Sequence, residues 1–108
     1  MLDTSELTDA VDRFADRLRA APQSRLQRGA AAEGLDLARE LARLAQRIEA
    51  PGREPSIMPD AGIFAVADQL MVAGTDLAEA LRTAPSRSVA EVDEAVSLVR
   101  AAEGRAGL

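Results

Sequence analysis

The 108-residue chain carries 13 basic and 18 acidic side chains, for a formal net charge of −5. It has no Cys, His, Trp, Tyr, Lys or Asn, every cation is Arg, and Ala alone supplies 23 residues. These absences remove disulfides and thiolate chemistry. They also remove the ligands that dominate zinc, haem and iron–sulfur sites and the His, Lys and Tyr routes to general acid–base catalysis.

Only Asp and Glu acting as a pair, or Arg acting as a clamp, remain as catalytic groups. An enzyme reading therefore needs two acids converging in a pocket, with Asp68 or Asp76 as the place to look. No D-x-D-x-D-G calcium loop, phosphate-cradling glycine loop or nucleophile elbow occurs. The expectation is no cofactor and no metal. The all-Arg cation set has a plain source. Lys, Asn and Tyr have AT-rich codons, whereas Ala, Arg, Gly and Pro have GC-rich ones, as a GC-rich bacterial genome would supply.

The opening MLDTSELTDAVDRF is acidic and does not read as a secretory signal. The most apolar stretch, 61–74, is interrupted by Asp68 and Gln69 and is too short to span a bilayer. The chain is expected to be cytoplasmic, with no membrane partner, and 1–108 to form one helical domain.

Four amphipathic segments follow in order. In the first, about 4–20, Leu7, Val11, Phe14 and Leu18 recur on one helical face. Asp3 and Glu6 form a D-x-x-E start signal, and Pro22 stops the segment. The second, about 24–49, opens on Ser24 and Gln27. Its stripe is Leu26, Ala30, Leu37, Leu41, Leu44 and Ile48. Gly29 and Gly34 interrupt it, so either the backbone meets a close neighbour there or the helix breaks near Gly29. Ala50-Pro51-Gly52 is a stop.

The third segment, about 59–83, is assigned Pro59 as its first residue. Its first half is apolar nearly all round, the mark of the most buried helix. The fourth, about 89–103, starts at a Ser88/Glu91 capping box and stops at Gly104. No run alternates with period two, so no sheet is expected.

The architecture predicted is all-α, a four-helix antiparallel up-down bundle. The runner-up is a long central hairpin with the outer helices packed at an angle. In the up-down bundle, facing residues of the second and third helices sum to about 108. That register sets Gly34 against Gly74 as a close approach and brings Arg39 or Arg43 to Asp68 as an interior polar pair. It also puts Phe14 near Gly29.

Residues 17–28 hold Arg17, Arg19, Arg25 and Arg28 with no carboxylate. Arg25 and Arg28 lie in the first turn of a helix, where the dipole disfavours cations. One reading is a binding corner for an acidic or phosphorylated partner. The other, favoured, is internal pairing with Glu79, Glu91, Asp93 and Glu94, which the up-down bundle brings to the same end. Ile57 and Met58, among the prolines of the loop, either bind a partner or plug one end of the bundle. Nucleic acid is disfavoured, because Glu91, Asp93 and Glu94 would repel phosphates. The leading expectation is a non-enzymatic protein–protein interaction or assembly module that forms a homodimer.

Overall fold

In a computed structural model that describes residues 1–108, the chain is entirely helical. α1 spans Ser5–Ala20, α2 Gln23–Arg25, a π-helical turn Leu26–Ala30, α3 Ala31–Glu49, α4 Val66–Thr83 and α5 Val89–Ala106. No helix is long and apolar enough to cross a membrane.

Local signals set several boundaries. Pro22 follows the extended Ala21 that closes α1, and Ala84 does the same for α4 ahead of Pro85. The Ser88/Glu91 capping box forms as expected, with the Glu91 N–H donating to the Ser88 hydroxyl and the Ser88 N–H to the Glu91 carboxylate. Two other start signals are not used as expected. Asp3 accepts from the N–H and hydroxyl of Ser5 one residue ahead of the cap position, Thr4, so the D-x-x-E box does not form. The Ser24/Gln27 box does not form, because the turn starts one residue earlier, after Pro22. The last helix runs past Gly104, and Gly107 takes the left-handed position (φ 69°). The second helix breaks at Gly29, whose φ of 154° belongs to a region L side chains rarely adopt.

The largest departure lies between α3 and α4. The apolar run from residue 59 does not start a helix. Asp60 accepts from the Gly62 N–H at 2.8 Å, Gly62 has φ 94°, and the helix begins only at Val66. Pro-Asp-x-Gly is turn chemistry, and here it overrides the periodic apolar pattern.

The connection Ala50–Ala65 is therefore an extended strap. It climbs back along α3: Ser56 exchanges two hydrogen bonds with Gln46, the Met58 carbonyl accepts from Arg39, and Ile63 lines one surface pocket with Leu35 and Ala31. α3 rises about 27 Å, a distance that about nine extended residues cover, so the strap is long enough.

The strap sets the direction of α4. The starts of α3 and α4 meet where a Cβ on Gly34 would lie 2.7 Å from Val66. Their ends meet where Leu44 and Ile48 line one groove with Leu77 and Leu81. α3 and α4 thus run parallel. α1 runs against α4, with Thr4 bonded to Arg82 and Arg19 to Asp68. α5 runs against α3, with Glu91 and Glu94 beside Ile48 and Glu33 bonded to Arg105. The predicted up-down-up-down order gives way to up-down-down-up with one long crossover, a known alternative for four packed helices.

Twenty-six buried apolar residues form one core cluster, and eleven of them are alanine. Such small side chains let helix axes approach closely. α4 is the most buried helix, with Leu70, Leu77 and Leu81 inside, yet Phe64 just before it and Val72 within it face solvent.

Candidate functional site

The parallel order of α3 and α4 rearranges every predicted site. Gly34 and Gly74 do not face one another. A Cβ on Gly34 would meet Val66 at 2.7 Å and Leu18 at 3.0 Å, and one on Gly74 would meet both methyls of Val11 at 2.7 and 2.9 Å. Both glycines do allow close approach, but each to different neighbours. Gly29 has open space where its side chain would be, so no atom of Phe14 lies against that position.

Asp68 pairs with neither Arg39 nor Arg43. Its side chain is 81% exposed and binds Arg19 at 3.0 Å. Arg39 donates to the Met58 carbonyl at 2.8 Å, and Arg43 pairs with Glu40. The predicted interior pair is a surface pair between α1 and α4. A helix that is apolar nearly all round can still carry a charge on its outer edge.

The arginine corner is largely paired within the chain, through partners other than the predicted ones. Arg17 binds Glu103 at 3.0 Å, and Arg13 shares that carboxylate at 3.4 Å. Arg19 binds Asp16 and Asp68. Their carboxylates, led by that of Asp68, which accepts a hydrogen bond from Arg19, push its guanidinium further above the ordinary arginine value. Arg25 donates to the Gly107 carbonyl at 2.9 Å. A cation set against its own helix start is thus compensated by the carbonyl-rich end of α5. Arg28 makes no hydrogen bond or ion pair to another side chain. Glu79, Glu91, Asp93 and Glu94 lie elsewhere, because parallel α3 and α4 bring the start of α4 and the end of α5 to this corner.

Ile57 does not plug the bundle. It is 82% exposed on the strap, whereas Met58 packs against the core from the side. The Gln69 amide donates to the Pro59 carbonyl and secures the strap's far end.

Two apolar surfaces escaped the sequence reading. The first is the outer face at the start of α4. Phe64 is 73% exposed and Val72 59% exposed, and Asp68 lies midway between them in sequence, held by Arg19. The second is a groove of about 190 Å³ where α3, α4 and α5 converge. Leu44, Ile48, Leu77, Leu81, Ala95 and Leu98 line it, and Glu40, Glu91 and Glu94 are its only ionisable lining residues. Arg43 holds Glu40 and Arg87 holds Glu91 from outside the lining, while Glu94 has no cation. The signal for the groove was the two apolar faces on α3, but its third wall depends on tertiary order.

No group of three or more acidic side chains is placed to hold a metal ion. Asp68 and Asp76 are both exposed on the outside of α4. Comparison of the chain with protein-family models, curated proteins and solved structures finds no match.

Proposed function

We propose that the chain is a non-enzymatic helical assembly module that self-associates as a twofold dimer through the outer face of α4. The observation that carries this reading is the pair of exposed apolar side chains, Phe64 and Val72, with the Arg19–Asp68 pair set between them. Asp68 and Val72, four residues apart, share one face of α4, and Phe64 stands exposed in the turn that leads into that helix.

A twofold interface is self-complementary, so residue i meets j while j meets i. A face that carries one cation and one anion side by side suits that symmetry, since Arg19 of each copy can meet Asp68 of the other. The apolar side chains supply the favourable burial, and the charges set the register.

Sedimentation equilibrium at high micromolar concentration tests it. The expected mass is twice 11.4 kDa. Phe64→Ser combined with Val72→Ser returns the chain to a monomer, and Asp68→Arg weakens the dimer. A wild-type monomer at that concentration overturns the reading.

A further inference from the structure

The groove between α3, α4 and α5 lies apart from Phe64 and Val72 and shares no residue with that face. Its walls are two antiparallel helices. α3 contributes Glu40, Leu44 and Ile48 at a spacing of four, and α5 contributes Glu91, Glu94, Ala95 and Leu98. α4 contributes Leu77 and Leu81, both nearly fully buried, as the floor.

From Glu40 to Ile48 the α3 wall rises about 12 Å, the length of a little over two helical turns. An amphipathic helix laying residues i, i+3 or i+4, and i+7 along such a groove is a recurring mode of recognition. The apolar lining sets what the occupant must bury, and the rim sets its charge. All three ionisable lining residues are carboxylates, and Glu94 has no partner. Two such grooves brought face to face would set carboxylates against carboxylates, which disfavours a second copy as occupant. A cationic flank would meet Glu94 directly and would compete with Arg43 and Arg87 for Glu40 and Glu91. The formal charge of −5 draws the same partner in from a distance.

We infer that this groove is the docking site for a basic amphipathic helix of a partner protein, held by two or three apolar side chains over Leu77 and Leu81 and by cations against Glu40, Glu91 and Glu94.

The test uses two synthetic helical peptides with the same apolar face, one flanked by arginines and one by glutamates, titrated against the full chain by fluorescence anisotropy. The arginine peptide is expected to bind about tenfold more tightly than its acidic twin. Leu98→Glu, at a partly buried position on the groove wall, removes most of that binding without changing the far-ultraviolet circular dichroism. Glu94→Arg weakens it about tenfold, whereas Asp12→Arg, the same charge change on the outside of α1, alters it less than about twofold.

Equal affinity for the two peptides, or no binding of either, overturns the inference. So does equal weakening by Glu94→Arg and Asp12→Arg, which would mark nonspecific attraction to an acidic surface. A change in sedimentation mass on Leu98→Glu would identify a second copy of the chain as the occupant and overturn it as well. The dimer reading is tested at Phe64 and Val72, so either proposal can fail without the other.

Discussion

The seam between α1 and α4 and the seam where α3, α4 and α5 converge are built from similar residues and end differently. On the first, Gly74 gives up its side chain so that Val11 sits directly on the α4 backbone. On the second, leucines and Ile48 stand where glycine might have been, three helices converge, and an apolar groove stays open. Close packing follows from having room for it. A seam between two helices closes when one side is small, while a three-helix junction lined by branched side chains leaves a space. The closed seam holds the molecule together, and the open one is free to receive something else.

That contrast makes a graded set of expectations for urea unfolding. Phe14 is fully buried on α1, so Phe14→Ala should cost the most, about 3–5 kcal/mol. Gly74→Ala comes next. Its new methyl would sit within 3 Å of both Val11 methyls, and overpacking of about 1–3 kcal/mol should outweigh the gain in helix propensity. Because Gly34 and Gly74 meet different side chains, Gly34→Ala and Gly74→Ala should add to within about 0.5 kcal/mol. Strong coupling would instead place the two glycines together. Leu98→Ala, on the open groove, should cost less than either core change, under about 1 kcal/mol beyond its small propensity effect. A cost like that of Phe14→Ala would mean the groove is core and not a docking surface.

The smallest effect belongs to the start of the closed seam. The Ser5 hydroxyl and N–H hold the Asp3 carboxyl below its ordinary value of 3.8. A carboxyl lowered in the folded state stabilises above its unfolded value and loses that contribution as pH falls through the folded one. The difference in urea midpoint between wild type and Asp3→Asn should therefore be seen near neutral pH and vanish in acid. A difference that persists unchanged at low pH would show that the charge of Asp3 plays no part.

Much of the fold was legible where the controlling contacts are local. The Ser88/Glu91 box, the stops at Pro22, Pro51 and Pro85, and the stripe Leu7–Val11–Phe14–Leu18 all lie where local pattern places them, while of the α5 stripe Val89, Val92, Val96 and Val99 the last three are buried and Val89, in the first turn, faces solvent. At residues 59–65 an apolar run and a Pro-Asp-x-Gly turn compete, and the turn prevails over the helical expectation that periodicity alone supports. The candidate site was less legible. Arg19 and Asp68 were each singled out, but were given different partners, because one error in the direction of α4 moved every contact along it. The exposure of Phe64 and the opening of the groove are not legible locally, since an apolar residue does not declare which of two faces its neighbours will cover.

The sequence by itself determined four helical stripes, their main stops, an acidic surface and the loss of Cys and His chemistry. Each follows from residue identity or from spacing within a few turns. Only the tertiary structure decided that α3 and α4 run parallel, that Arg25 caps the end of α5, and that a groove opens among three helices. A stripe fixes which face of a helix is apolar but is the same read in either direction. The direction was set by a strap whose hydrogen bonds to Gln46, Arg39 and Gln69 join residues about ten to twenty apart, beyond the reach of any local pattern.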